Sequence, residues 1–261
     1  MAKLPPLTRL SEPHLDREAA PIYEAAMDAV EAAGVPYLLG GTFALNAHTG
    51  IWRDTKDLDL FVRPVDSRRA LQALHGGGFE TELVYESWLG KGWKGDVFVD
   101  VIWRNANGLF PVEDSWLENP ASVRLFGRDA PVVPLEELIV SKMMVMGRFR
   151  YDGADVLHVL FSAADRMDWD KLAHICGEHI GLLLAHLHTF RWAYPGWQDR
   201  IPEEVLLRYE RLARERASTF GPFRARLIDI QSFEVDVQEW GMPDPHRQAL
   251  DSIFSDGAGK T

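Results

Sequence analysis

Three aspartates in this chain have the spacing of a metal-binding site. Asp57 and Asp59 lie in the segment DLDLF, where Leu58 and Leu60 alternate with them, and this alternation is typical of a β-strand. The two carboxylates therefore share one face, where their mutual repulsion is unfavourable unless a cation compensates it. A third acid, Asp100, lies within the apolar segment FVDVIW. Because oxygen ligands suit Mg²⁺, the sequence predicts a divalent-cation site built from these three residues.

A double glycine precedes the acidic pair. Residues 35–39 form a short apolar run, Gly40 and Gly41 follow directly, and residues 42–48 have the pattern of the first turns of a helix. A strand that leads through glycines into a helix presents backbone N–H groups to an anion such as a phosphate. An ordinary tight turn has the same pattern, so the glycines alone do not decide between the two.

The elements that must position these residues follow from periodicity and breakers. Residues 17–33 and 66–75 predict helices, the second with Asp66 as its N-cap, and residues 96–103 predict a strand. Residues 122–133 predict a hairpin with Gly127 near its turn. From about residue 135 the pattern is helical, with predicted helices at 135–149, 153–163, 168–190, 203–219 and 244–254.

Four segments result from this pattern. Residues 1–16 carry several prolines and predict an extended N-terminal arm, and residues 255–261 predict a flexible tail. Between them we expect an α/β catalytic domain over residues 17–133 and a helical domain over residues 134–254.

The segment LLGGTFALNAHTGIWRDTKDLDLFV resembles the nucleotidyltransferase superfamily that includes DNA polymerase beta. The pattern of that superfamily is a hydrophobic run, Gly-Gly or Gly-Ser, a helix, Asp-x-Asp, and a third Asp on a later strand. Within the superfamily, this segment is most similar to AbiEii-like and related minimal nucleotidyltransferases of bacteria, which often have Arg-x-Thr-x-Asp-hydrophobic-Asp after the glycines. The matching positions are Gly40, Gly41, Arg53, Thr55, Asp57, Asp59 and Asp100.

A looser resemblance continues through PLEELIVSKMMVMGRFRYDGADVLHVL. Relatives commonly carry a Lys on a helix, then an Arg and an Asp-containing stretch, which here match Lys142, Arg148, Asp152 and Asp155. The resemblance covers residues 35–160, and nothing in residues 168–261 has a function that can be carried over. It implies an α+β fold with a nucleotidyltransferase-type mixed sheet flanked by helices, followed by a helical C-terminal domain.

The resemblance also implies an activity: transfer of a nucleoside monophosphate from an NTP to a hydroxyl acceptor, with two Mg²⁺ ions or Mn²⁺ in their place. Asp57, Asp59 and Asp100 would hold the metals, and Asp100 would accept the proton of the hydroxyl. Gly40, Gly41 and the hydroxyl of Thr42 would contact the phosphates, and Arg53, Lys142 or Arg148 would neutralise their charge. The acceptor could be an RNA 3′ end, a protein or a small molecule such as an antibiotic. Relatives of this kind suggest a toxin or defence context, including a toxin–antitoxin pair.

Each assignment has an alternative. Arg53 could be a surface arginine, Lys142 could extend from the edge of its helix, and Asp152 and Asp155 could be helix caps or ion-pair partners. The whole protein could be an inactive module that binds a nucleotide or a partner protein in the same cleft. The presence of all three acids favours an enzyme.

Composition excludes other classes of protein. With 46% hydrophobic and 26% charged residues the chain is expected to fold, and no apolar run is long enough to span a bilayer, so we expect a cytoplasmic protein. The net charge of −11 argues against a broad DNA-binding surface. A single cysteine, Cys176, excludes an internal disulfide, and its apolar neighbours predict an inert buried thiol.

Three further features are weaker candidates for binding sites: a possible phosphate-binding loop, a group of histidines and a group of aromatic residues. The C-terminal GAGKT lacks the first glycine of a phosphate-binding loop, since Phe254 occupies that position. Four histidines, His174, His179, His186 and His188, lack the spacing of a helical zinc site. The aromatic residues at 190–197 could stack on a nucleobase, although packing of the helical domain is the expected role.

Overall fold

The computed structural model describes residues 15–53, 55–217 and 223–257. They form two compact units, one from residues up to 106 together with 111–134, the other from 107–110 together with 135 onward. Most of the predicted N-terminal arm and the last four residues of the predicted tail lie outside the described residues.

The first unit is built on a five-stranded mixed sheet. Its strands are β1 (Leu38–Leu39), β2 (Asp57–Phe61), β3 (Glu80–Tyr85), β4 (Leu89–Lys94) and β5 (Val97–Ile102). The order across the sheet is β1-β2-β5-β4-β3, in which β2 and β5 are parallel and the other pairs are antiparallel. The predicted fold class, a mixed sheet with helices and a following helical region, is confirmed.

Among the described residues of this unit there are three α-helices: α1 (Ala19–Ala32), α2 (Gly41–Thr49) and α3 (Ser67–Gly76). The Asp16 carboxylate begins α1, because it accepts hydrogen bonds from the backbone N–H groups of Glu18 and Ala19 at 2.8 and 3.2 Å. The buried residues of these helices and the inward face of the sheet form the core of the unit. Since Leu58, Leu60, Val99 and Val101 are fully buried, the alternate residues of β2 and β5 must face the other way.

Asp66 does not cap α3 as predicted. It occupies the position before the helix but makes no capping hydrogen bond. Its carboxylate instead pairs with the guanidinium groups of Arg63 and Arg69, at 2.5 and 2.9 Å. An ion pair with two arginines satisfies this buried acid better than a single backbone N–H group would.

The predicted hairpin at 122–133 is confirmed as β6 (Ser122–Leu125) and β7 (Arg128–Pro131), with Gly127 at its turn. The hairpin of β3 and β4, however, was not predicted. Its second strand contains Gly90 and Gly92, which lower the β-strand propensity of the segment. Strand β4 lies next to β5 and therefore next to Asp100.

The described part of the second unit is helical. Its helices are α4 (Leu135–Met143), α5 (Gly153–Ala163), α6 (Trp169–Cys176), α7 (Ile180–Ala193), α8 (Glu203–Ala217), α9 (Glu234–Gln238) and α10 (Pro245–Gly257). The helix predicted at 168–190 is two helices, because Gly177 adopts a left-handed φ of +50° that ends α6. The helix predicted at 135–149 ends earlier, at Met143. In the described residues, every helix is too short or too polar to cross a bilayer.

Candidate metal and nucleotide site

The parallel pairing of β2 and β5 brings the three predicted acids together. Asp59 lies directly opposite Asp100 in the register, and Asp57 lies two residues earlier on the same face. One carboxylate oxygen from each residue lies within 4.8 Å of the others, and all three side chains are partly exposed. In the part of the chain that the structure describes, this is the only group of three or more acidic, histidine or cysteine residues that could hold a metal ion.

The glycine turn runs directly against this acidic group. The backbone N–H of Gly40 donates to the carbonyl of Asp59 at 2.9 Å, which fixes the end of β1 beside β2. A Cβ atom on Gly41 would lie 2.0 Å from Asp59 Oδ2, and one on Gly40 would lie 2.1 Å from the ring of Phe61. Gly41 also has a left-handed φ of +49°. The turn therefore requires glycine at both positions, and it leaves the N-terminus of α2 next to a carboxylate of the site.

Thr55 orients Asp57. Its hydroxyl donates to Asp57 Oδ1 at 2.7 Å, and the backbone N–H of Asp57 lies 3.4 Å from the same hydroxyl oxygen. This hydrogen bond leaves the second carboxylate oxygen of Asp57 for another partner. The threonine of the Arg-x-Thr-x-Asp pattern thus has a positioning role in this geometry.

A basic residue that the sequence analysis did not select, Lys91, lies in the acidic group. It pairs with Asp100 across β4 and β5, and its Nζ lies 2.6 Å from Asp100 Oδ1. The same ammonium lies 4.1 Å from the ring centroid of Phe98. The alternation in LGKGWK, followed by a turn and DVFVDV, is the sequence signal that could have placed this lysine opposite the aspartate.

Tyr23, on α1, interacts electrostatically with two of the three acids. Its side chain is 1% exposed, and its hydroxyl has no hydrogen-bond partner among the described residues. Burial, followed by the negative charges of Asp57, Asp16 and Asp59, raises the pKa of Tyr23 to about 12. The electric field of the carboxylates therefore reaches this hydroxyl, which stays protonated at neutral pH.

Thr42 and Arg53 lie at the edge of the same unit. The Thr42 hydroxyl donates to the backbone carbonyl of Arg53 at 3.1 Å, and the Arg53 side chain is exposed. This bond ties the start of α2 to the segment that leads into β2. Contact of either residue with a phosphate stays a prediction.

Lys142 and Arg148 belong to the second unit. The Lys142 ammonium is buried and pairs with Asp155 at 2.8 Å and Asp152 at 3.3 Å. Burial by itself would raise the pKa of Asp152, but the charges of Lys142 and Arg150 lower it below its usual value. Arg148 has an exposed side chain, and its backbone N–H donates to Asp229 at 2.9 Å. The predicted role of Lys142 and Arg148 toward a triphosphate stays a prediction, and the structure gives Lys142 a structural role as well.

The other sequence candidates have packing roles within the second unit. His186 Nε2 lies 3.0 Å from the carbonyl of Met143, and the thiol of Cys176 is buried, which raises its pKa. The rings of Phe161 and Phe190 each lie 5.0 Å from that of Tyr194. Trp192, in contrast, is 84% exposed. The thiol is inert at neutral pH, as its apolar neighbours predict.

No protein-family model and no curated protein matches the chain. Solved structures of low identity are similar to it. The antibiotic-resistance factor ANT(2'')-Ia is 16% identical over 78% of this chain and 96% of its own, with a TM-score of 0.41. The lincosamide antibiotic adenylyltransferase LnuA is 15% identical over 56% of this chain and 96% of its own, with a TM-score of 0.39. JHP933 from Helicobacter pylori is 15% identical over 86% of this chain and 99% of its own, with a TM-score of 0.38. These identities and TM-scores are low, so the activity proposed below rests on the acidic site.

Proposed function

We propose that the protein is a metal-dependent nucleotidyltransferase that transfers a nucleoside monophosphate from an NTP to a hydroxyl acceptor. One observation carries this proposal: three carboxylates from two parallel strands meet within 4.8 Å beside a turn that requires glycine. Such a group is unfavourable without cations, and an adjoining helix N-terminus attracts phosphate. We assign this chemistry to residues 17–133, followed by the helical domain over residues 134–254.

The donor set fits a hard divalent cation. Asp57, Asp59 and Asp100 offer only oxygen ligands, which suit Mg²⁺ and also Mn²⁺. As in the sequence prediction, we propose two ions at this face. Bound there, they would supply positive charge that stabilises the transferring phosphoryl group and lowers the pKa of the acceptor hydroxyl.

The residues of the chain would hold the reactants and accept a proton. The backbone N–H groups of Gly40 and Gly41 and the hydroxyl of Thr42 would contact the triphosphate, and the cationic candidates Arg53, Lys142 and Arg148 would offset its charge. The acceptor oxygen forms a bond to the α-phosphorus, the bond to pyrophosphate breaks, and the hydroxyl proton passes to Asp100. Thr55 keeps Asp57 oriented throughout.

The acceptor is the open part of this proposal. An RNA 3′ end, a protein side chain and a small molecule such as an antibiotic all offer a hydroxyl group of the required kind. A cytoplasmic location would supply the NTP, and a toxin or defence role, with or without an antitoxin, would fit any of the three acceptors.

One contact favours a second candidate function. The ion pair of Lys91 with Asp100 gives the acidic group an internal cation, and a cleft whose third carboxylate stays paired in this way would bind a nucleotide or a partner protein without catalysis. Such a module would retain the cleft and lose turnover.

Labelling separates these functions. The protein is incubated with each of the four α-labelled NTPs, Mg²⁺ and a cell extract, and the labelled product is identified. We expect transfer that falls at least about 100-fold in Asp59→Asn, because metal ligation contributes several kcal/mol to such reactions. Asp96→Asn, at an exposed acid in the turn before β5, is the matched control and should keep full activity. Nucleotide binding without transfer to any acceptor would favour the module, and equal transfer by Asp59→Asn would contradict the metal assignment.

A further inference from the structure

Lys91 is held on the acidic face of the sheet by the residues on either side of it. Gly90 and Gly92 face the opposite side, where an added Cβ would lie 2.7 Å from Leu71 and 3.0 Å from Leu74 of α3. Because side chains alternate along a strand, Lys91 must then point toward the face that carries Asp100. The packing of α3 on β4 thus fixes the direction of the lysine.

The position of the ammonium is fixed as well. Its Nζ lies 2.6 Å from Asp100 Oδ1 and above the ring of Phe98, and the two side chains are only 21% and 14% exposed. A partly buried ion pair is screened weakly by salt, so it persists at ordinary ionic strength. Asp100 Oδ1 therefore already has a cationic partner, on the carboxylate that would complete the metal site.

We propose that Lys91 is a built-in competitor of the metal ion for Asp100. A divalent ion on the three carboxylates would lie within a few ångströms of the ammonium, and at that separation repulsion between like charges is strong. The ion at Asp100 must displace Lys91, whereas an ion on Asp57 and Asp59 is less affected. The two metal positions therefore fill in order, with the Asp100 position last.

This inference rests on the proposed function, since it concerns the same acidic site. Lys91 lies outside the Asp-x-Asp pattern. In the absence of an ion, its ammonium offsets one of the three negative charges. The three acids therefore remain close together in the folded protein before metal binds.

Metal titration tests the competition without an acceptor or turnover. Mn²⁺ is added to the wild-type protein and to variants, and free Mn²⁺ is followed by its electron paramagnetic resonance signal. We expect Lys91→Met to take up its last Mn²⁺ ion at a free concentration at least tenfold lower than the wild type does. Lys91→Arg keeps the charge and should behave like the wild type.

Lys94→Met is the matched control. It removes the same charge from the same strand, but Lys94 is exposed and its ammonium lies over the ring of Phe79. Its Mn²⁺ uptake should equal that of the wild type. If Lys91→Met fails to fold without metal, Lys91→Gln, which keeps a hydrogen-bond donor without the charge, takes its place.

The outcomes distinguish the competition by Lys91 from the proposed metal-dependent activity. Equal uptake by Lys91→Met and the wild type, or weaker uptake by the variant, would overturn the competition while leaving a metal-dependent enzyme in place. A tenfold gain in Lys94→Met as well would also overturn it, because the effect would then be one of net charge. The absence of Mn²⁺ binding in all variants and in the wild type would remove the metal site itself, and the proposed function with it.

Discussion

The substitution Gly41→Ala tests whether the glycine turn exists to bring α2 against the acidic group. An alanine there would adopt a φ of +49° and would place its Cβ 2.0 Å from Asp59 Oδ2. The left-handed conformation destabilises an L-residue by about 1–2 kcal/mol relative to glycine. The steric overlap is a separate effect, and it can be relieved only by moving the Asp59 carboxylate.

Gly34→Ala is the matched control, because it isolates the first effect. Gly34 has a similar φ of +63°, and a Cβ atom there would have no neighbour within 4 Å. The backbone conformation should therefore destabilise both variants by about 1–2 kcal/mol, which corresponds to about 2–4 °C of melting temperature per kcal/mol for a chain of this size. Only Gly41→Ala should also displace a metal ligand.

Melting curves in EDTA and in Mn²⁺ make the comparison. The wild type and Gly34→Ala should gain melting temperature in Mn²⁺ to the same extent, because a ligand that binds only the folded state stabilises it. Gly41→Ala should lose most of that gain, since a lost charge-assisted contact weakens binding by about 1.5–3 kcal/mol, roughly tenfold to 100-fold. If Gly41→Ala keeps the full Mn²⁺-dependent gain, Asp59 is not a ligand in the position that the structure gives it.

Two further predictions concern the second unit. Lys142→Met leaves the carboxylates of Asp152 and Asp155 buried without their ammonium, so we expect a loss of about 3–5 kcal/mol in urea unfolding; full stability together with weakened NTP binding would instead support the triphosphate role. Burial, with a smaller effect from Arg224, lowers the pKa of His179 from 6.5 to about 4. Because the unfolded chain then binds the extra proton first, stability should fall by up to about 3 kcal/mol as pH decreases from 6.5 to 4. Substitution of His179 by Gln should flatten this dependence, the same change at the exposed His174 should not, and an unchanged slope in the first variant would show that another group titrates.

The acidic site could be predicted from the sequence because it depends on local patterns. Alternation in DLDLF places Asp57 and Asp59 on one face, and the apolar neighbours of Asp100 mark a second strand. The pairing of Asp59 with Asp100 is a different matter, since the two strands are parallel and separated by a helix and a hairpin. The residue types and the resemblance to a known superfamily both grouped the three acids, but no local pattern predicts the register of the two strands.

Ion pairs could not be predicted in the same way. The partners of Lys142 are ten and thirteen residues away along the chain, whereas side chains of one helix contact each other only three or four residues apart. Lys142 meets these partners because α4 and α5 pack together. Asp66 has a capping position in the sequence but two arginine partners in the fold. A charged side chain has several possible partners in the sequence, and tertiary packing determines which of them it contacts.

Glycines in the first unit position both Lys91, which the sequence did not indicate, and the predicted acid Asp59. Gly90 and Gly92 lower strand propensity, so the sequence alone does not favour β4, yet α3 packs so closely on this strand that larger residues would overlap Leu71 and Leu74. Because glycines occupy the face of β4 that packs on α3, Lys91 projects from the opposite face. At the turn, Gly41 removes a side chain so that Asp59 can lie beside α2. In both places the absence of a side chain on glycine allows a charged residue to reach the site.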